Sequence, residues 1–229
     1  MLFFFVILHQ EMKKLIYNKV DKAMISQLKR VVYYGKIYVV TSAADAENVV
    51  DYLLSQPVLG FDTETRPAFE KGKNYLCSLL QVSTHTDCFL FRLNTIGLCP
   101  AVVRLLSDTK VTKVGLAWNN DIQSLKRLGN FNPGHFIDLQ DMVHQLGIED
   151  QSLVKIYANL FGERISKAER LSNWERRELT ERQMEYAAID AWACVRIYDE
   201  VNRLLATQEY EMEDRSDDNV NQNNETGLS

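Results

Sequence analysis

The passage that most constrains this chain runs from the apolar stretch Val58-Leu59-Gly60-Phe61 into Asp62-Thr63-Glu64-Thr65. A short apolar run of this kind suits a buried strand, and two carboxylates one residue apart then project from the same side of its exit. Like charges held that close repel, so a fold holds them together around a cation or leaves them to water. The pentapeptide alone leaves two readings open: a cation-binding pair, or a solvated strand-to-turn connection with two incidental acids.

At 229 residues the chain can bury one sizeable core. Its 46% hydrophobic and 25% charged residues are ordinary for a globular protein. The net charge of -5 comes from the end of the chain, where Glu211, Glu213, Asp214, Asp217, Asp218 and Glu225 face only Arg215. The rest is neutral, so net charge neither points to nor excludes a nucleic-acid partner. Cys77, Cys88, Cys99 and Cys194 lie far apart with no paired spacing of the zinc or redox kind. They read as reduced core residues, which suits a reducing, cytoplasmic compartment. The apolar run from Leu2 to Leu8 is too short to span a bilayer. It also lacks a basic leader and a cleavage site, with Lys13-Lys14 behind it rather than ahead, so no membrane attachment is expected. Met12 is the expected natural start, with residues 1–11 a dispensable extension.

Three regions are expected: an N-terminal extension with a helix over residues 12–30 (1–35), a folded domain (36–207) and an acidic, disordered tail (208–229). Within the domain, Ile37–Val40 reads as a short strand, and Thr41-Ser42 offers an N-cap for a helix ending before Pro57. Leu76–Ser83 and Cys88–Leu93 read as a hairpin around a short polar turn. A helix through Val102–Leu106 leads to a strand at Val111–Leu116, then to a short helix from Ile122 to Leu128 closed by Gly129. Phe136-Ile137 suggests a last strand, with helices after it at Leu139–Leu146 and Leu153–Phe161. Residues 163–179 form a charged connection containing Trp174. Thr180 and Gln183 then make a capping box for a long final helix. Strands that form a hairpin and then alternate with helices imply an α/β layer architecture with a mixed sheet.

Two further acids sit in telling places. Asp121 follows Trp118-Asn119-Asn120, where a strand gives way to a helix. Asp190 lies within the final helix, four residues after Tyr186 and hence on the same face. That face is otherwise small and apolar, so an unpartnered charge there would be costly. Asp62-Thr63-Glu64, then Asp121 in an Asn-Asn-Asp-Ile context, then Tyr186 and Asp190 resemble, in order, the three exonuclease motifs of the DEDD superfamily. The tyrosine form is indicated, because the other subtype carries histidine five residues before the last aspartate, and position 185 is Glu. The approach Leu171-Ser172-Asn173-Trp174, then Leu179-Thr180, Gln183 and Tyr186-Ala187-Ala188, is similar to the branch of the Werner-syndrome-helicase exonuclease and ribonuclease D. The likeness covers roughly residues 36–205.

The resemblance implies a ribonuclease H-like fold with a mixed five-stranded sheet flanked by helices. It also implies two divalent cations, Mg²⁺ or Mn²⁺, in keeping with an all-oxygen ligand set. Such ions, about 4 Å apart, clamp the attacking and leaving oxygens of an in-line phosphodiester displacement. By this likeness Asp62 bridges both ions, Glu64 and Asp190 hold the ion that activates water, and Asp121 serves the second ion, partly through water. Tyr186 orients the attacking water. The implied reaction releases nucleoside 5′-monophosphates from the 3′ end of a nucleic acid. DNA is favoured by the Ser-Asn-Trp approach, with ribonuclease D-like RNA trimming, or a non-catalytic nucleic-acid-binding domain of the same fold, as alternatives.

Around this set, the polar loop after Glu64 offers Thr65, Arg66, Lys71 and Lys73 for phosphates, and Phe69 and Tyr75 for terminal bases. Asn120 adjoins the second motif and joins the substrate-binding candidates. Asp138 is a helix N-cap by position, His85 and His135 are surface residues, and Thr63 is a spacer between the acids. Trp174 either pins the loop ahead of the long helix or stacks on a base, and pinning is the favoured role.

Overall fold

The run Val58–Thr65 is indeed a strand, and it lies in the middle of a six-stranded sheet. The computed structural model describes residues 13–215. In chain order it begins with β1 (Lys14–Tyr17), α1 (Lys22–Gln27), β2 (Lys29–Arg30), β3 (Lys36–Val40), α2 (Ala43–Leu53) and β4 (Val58–Thr65). The hairpin β5 (Cys77–Ser83) and β6 (Asp87–Phe91) follows, then α3 (Leu93–Ile96), α4 (Pro100–Ser107), β7 (Thr112–Gly115) and α5 (Trp118–Lys126). The last third comprises β8 (Phe136–Asp138), α6 (Leu139–His144), α7 (Leu153–Phe161), β9 (Glu163–Arg164), α8 (Glu181–Thr207) and β10 (Tyr210–Glu213).

The sheet order is β3-β6-β5-β4-β7-β8. β5 is antiparallel to both of its neighbours, and the other pairs are parallel. Both faces are covered, which is why β5 is buried along its whole length. Leu59, Phe61, Leu80, Val82 and Phe91 join the core on one face with Val50 and Leu53 of α2 and Leu105 of α4. Val58, Leu79, Leu90 and Val114 belong to the opposite core, with α6, α7 and α8. α8 rests directly on β4, and Gly60 permits that approach: a Cβ there would stand 2.0 Å from the Ala191 carbonyl oxygen. The capping box is formed, with the Thr180 hydroxyl accepting from the Gln183 amide and the Gln183 side chain accepting from the Thr180 N–H.

Several expectations change. The sheet has six strands rather than the five that the resemblance implied: the expected strand at Ile37–Val40 joins it, parallel to β6 at the outer edge of the hairpin. Residues 12–30 do not form one helix. Asp21 caps a helix of only 6 residues by accepting from the Ala23 amide, and the flanking segments pair with distant strands instead. Residues 210–213 are not disordered: they run parallel to β1, with Lys14 opposite Tyr210 and Tyr17 opposite Glu213. The charged connection after α7 contains β9, which pairs with β2. α5 begins at Trp118, four residues before the expected Ile122. Residues 1–12, including Met12 and the apolar run, and residues 216–229 of the tail lie outside the described residues. The four cysteines are buried and free, as their surroundings suggested. Among the described residues, no helix is long and apolar enough to cross a membrane.

Candidate active site

The acids meet at the C-terminal end of β4, against the first half of α8. Asp62 and Glu64 project from alternate positions of the strand, as their spacing predicts, and Asp190 comes down from the helix above. Each of the three offers a carboxylate oxygen such that the atoms all lie within 4.8 Å of one another. Glu64 and Asp190 are buried, Asp62 is partly so, and a cavity of about 220 Å³ beside them is lined also by Tyr186, Arg170, Lys167 and Cys194. A register shift in the ladder between Glu64 and Thr65 ends the regular pairing, so the chain turns out of the sheet directly after the second acid.

Asp121 arrives differently. Ala117 takes a left-handed conformation at φ 54°, which turns the chain from β7 into α5 and sets Asp121 in the first turn of that helix. One side chain holds this turn: the Asp138 carboxylate accepts from the Ala117 and Trp118 amides, each at 3.1 Å, and from the Gln140 amide at 3.0 Å. Asp138 is therefore the N-cap expected for α6, and it also fixes the start of α5, which no local pattern announced. The Asp121 carboxylate accepts a hydrogen bond from the Thr63 hydroxyl. Thr63 is thus more than a spacer, since it ties Asp121 of α5 to β4.

The electrostatics follow from crowding acids where water is scarce. Burial, reinforced by Asp190 and Asp121, holds the Asp62 carboxyl well above the usual range. Burial and then Asp62 push Glu64 up to about 10, with Arg170 partly offsetting them. Asp190 rises to about 7 through burial, against the Tyr186 hydroxyl, which favours its ionised form. Asp121 rises to about 6 for the same first reason, while the Thr63 hydrogen bond works in the opposite direction. The Tyr186 phenol is pushed well above 10 by burial and then by Asp190, so it stays protonated at neutral pH. Four carboxyls that the protein solvates this poorly are a donor set short of positive charge. The residues present fit hard divalent cations, which their oxygens would ligate and which would restore their ionisation.

Trp174 is fully buried, with its ring centroid 5.9 Å from that of Tyr186. It pins the connection against α8 and is not available for stacking on a base. The loop after Glu64 is exposed at Phe69 and Lys71. Two of its cations are already engaged, Arg66 with Glu175 at 3.2 Å and Lys73 with Glu70 at 2.7 Å, and Arg66 also lies over the Tyr75 ring. Thr65 sits at the loop's root, and Asn120 is exposed beside Asp121. Arg170 and Lys167, which line the acid cavity, were not singled out from the sequence. The only signal for them was the density of basic residues in the connection ahead of α8.

A mixed sheet carrying two acids on its central strand, a third on the helix crossing that strand and a fourth on a neighbouring helix defines a carboxylate-cluster domain of the ribonuclease H-like type. The solved structure of the Nibbler EXO domain of Aedes aegypti has this fold, with a TM-score of 0.68 at 22% identity over 76% of this chain and 91% of that one. A family model described as 3'-5' exonuclease matches residues 37–206, and the chain belongs to that family, within the DEDD superfamily. Among curated relatives, exonuclease 3'-5' domain-containing protein 2 of Drosophila melanogaster is 34% identical over 166 residues, covering 71% of this chain and 28% of its own length. The bifunctional 3'-5' exonuclease/ATP-dependent helicase WRN of Mus musculus is 27% identical over 181 residues, 76% of this chain and 13% of its own length. The chain therefore spans less than a third of either relative.

Proposed function

We propose that this domain is a divalent-cation-dependent exonuclease that removes nucleoside 5′-monophosphates from the 3′ end of a nucleic acid, with DNA favoured. The observation that carries the reading is the convergence of Asp62, Glu64 and Asp190 oxygens within 4.8 Å, beside a protonated Tyr186. Asp62, Glu64 and Asp190 would hold the cations, and Asp121 would complete the set from the far side of the strand. Two bound Mg²⁺ or Mn²⁺ ions would supply a lowered pKa for the attacking water and charge neutralisation at the scissile phosphate. Tyr186, locked as a phenol, can orient that water by its hydroxyl but cannot take its proton. In the hydrolysis the water oxygen bonds to phosphorus, the bond from phosphorus to the 3′ oxygen breaks, and a proton finishes on the released 3′ hydroxyl. Arg170, which lines the acid cavity and whose charge acts on Glu64, would supply positive charge to a phosphate bound there.

DNA is favoured on the Ser172-Asn173-Trp174 likeness to the Werner exonuclease branch. The segment acts by positioning: the Asn173 carbonyl accepts from the Gln183 side chain at 3.3 Å, and Trp174 packs beneath Tyr186. The test is to incubate pure protein with 3′- and 5′-labelled single-stranded DNA, duplex DNA and RNA, with Mg²⁺, Mn²⁺ or EDTA. Stepwise release of mononucleotides from 3′ ends, abolished by EDTA and faster on DNA, is expected. Intact strands under every cation would overturn the activity, and faster digestion of RNA would overturn the preference.

A further inference from the structure

A second cavity, of about 560 Å³, opens between α1, the start of α7 and β9, and is lined by Lys22, Ile25, Lys155, Arg164, Ile165 and Lys167 among others. It shares Ser152, Val154, Ile165, Ser166 and Lys167 with the acid cavity, so the two cavities adjoin along that stretch and together make up a trough. Its electrostatic character is set by cations that lack acids. Lys155 is neutralised by the buried Asp150 at 2.6 Å, but among the described residues Lys22, Arg164 and Lys167 enter no ion pair. In the loop after Glu64, Arg66 and Lys73 are both paired to carboxylates, and among the described residues only Lys71 of its three cations enters no ion pair.

The walls of the trough are tied together by hydrogen bonds within the chain. The Asp150 carboxylate also accepts from the Val20 amide at 2.7 Å, Arg164 Nε donates to the Leu28 carbonyl at 2.9 Å, and the Val31 amide donates to the Arg164 carbonyl at 3.0 Å. These bonds hold α1, and Lys22 with it, against β9 and the start of α7. An anion arriving there meets cations on a preformed surface, with little ordering left to do. Ile25, Val154 and Ile165 give the outer, 560 Å³ part of the trough an aliphatic floor, and none of the residues lining that part is aromatic. Such a surface grips phosphates without stacking on bases.

We propose that this trough binds the sugar-phosphate backbone of a single strand whose 3′ end lies among the acids, with Lys22 and Lys167 neutralising phosphates upstream of the scissile one. The proposal rests on the exonuclease reading above. It gives the N-terminal segment, which lies outside the matched residues 37–206, a role in holding substrate.

The test is equilibrium binding of a fluorescent single-stranded oligonucleotide to the full chain in EDTA, over a series of salt concentrations. Each phosphate neutralised on a single strand contributes about 0.7 to the slope of log K against log salt. Lys22→Ala and Lys167→Ala should each lower the slope by about that amount. Lys110→Ala, an exposed position just before β7 at the opposite end of the sheet, should leave it unchanged. Slopes for the first two variants equal to that of the unaltered chain would overturn the proposal, as would absence of binding by the unaltered chain. Because cleavage plays no part in the assay, binding with these slopes but no mononucleotide release removes the exonuclease reading alone. Digestion of 3′ ends with slopes unmoved by either substitution removes the trough alone.

Discussion

Replacing Asp190 with asparagine isolates the cost of burying that carboxylate in the cation-free protein. The ordinary value for this carboxyl is 3.8, and burial lifts it to about 7. A folded-state pKa above the unfolded one means that the native protein binds the proton more tightly. The stability this contributes is complete below pH 4 and is lost as pH rises towards 7. At about 1.36 kcal/mol per pH unit, the loss is roughly 1 kcal/mol at pH 4.5 and about 4 kcal/mol by pH 7.5. The asparagine side chain would keep the shape and the hydrogen-bonding capacity but carry no titrating group, so the variant escapes that loss.

Thermal melts of both proteins in EDTA read the difference directly. With roughly 2–4 °C per kcal/mol for a chain of this size, the variant should melt about 2–4 °C above the unaltered protein at pH 4.5, and about 8–16 °C above it at pH 7.5. Adding Mg²⁺ or Mn²⁺ should narrow the gap, because a cation that binds the native state alone stabilises it by mass action and the variant has lost a ligand. Parallel melting curves from pH 4.5 to 7.5 in EDTA would refute the claim that Asp190 is held in a charge-starved site. A widening gap that no divalent cation narrows would keep the electrostatics but refute the metal assignment.

Further outcomes follow from the same geometry. Asp62→Ala should leave a folded protein with less than about 1% of the mononucleotide release, since a cluster ligand is gone. Tyr186→Phe should be milder because it removes a positioning hydroxyl, and an equally deep loss in single-turnover kinetics would sink that role. Thr63→Val keeps the β-branched shape and deletes the bond to Asp121, so apparent cation affinity or rate should fall about 10–100-fold; unchanged cation titration would show that Asp121 needs no anchor. Gly60→Ala drives a methyl to 2.0 Å from the Ala191 carbonyl oxygen. It should cost about 2–3 kcal/mol in urea unfolding, and a cost below about 0.5 kcal/mol would mean that α8 does not rest on β4 as described.

The parts legible in the sequence were those written in short-range chemistry. The capping box at Thr180 and Gln183, the apolar strand ending in two acids, the hairpin and the Tyr186–Asp190 spacing each rest on residues a few positions apart, and each appears as read. Features that depended on distant partners were not legible. Nothing near Lys14 announces that it will lie beside Tyr210, and nothing near Trp118 shows that the Asp138 carboxylate, twenty residues on, will start its helix early. The Thr63 hydroxyl was overlooked for the same reason. On a strand it is the residue facing away from its neighbours' site, and only the arrival of α5 gives it a partner.

The four acids are also held with unequal firmness, and the inequality follows from how each is carried. Asp190 lies about a third of the way along a 27-residue helix whose buried Ala187, Ala188, Ile189, Ala193 and Ile197 anchor it to the core. Asp62 and Glu64 sit on the central strand beneath it. Burial of that apolar surface, at about 25 cal/mol per Å², is what offsets the repulsion of three acids pressed together. Asp121 has no such backing. It rides on a 9-residue helix whose entry depends on one left-handed alanine, one carboxylate at Asp138 and one hydroxyl at Thr63. The three acids on β4 and α8 make a fixed half-site, and Asp121 is the acid whose position three small contacts can adjust. In the proposed exonuclease, which would release each mononucleotide before taking the next, that division would let Asp121 yield while the rest of the site stays assembled.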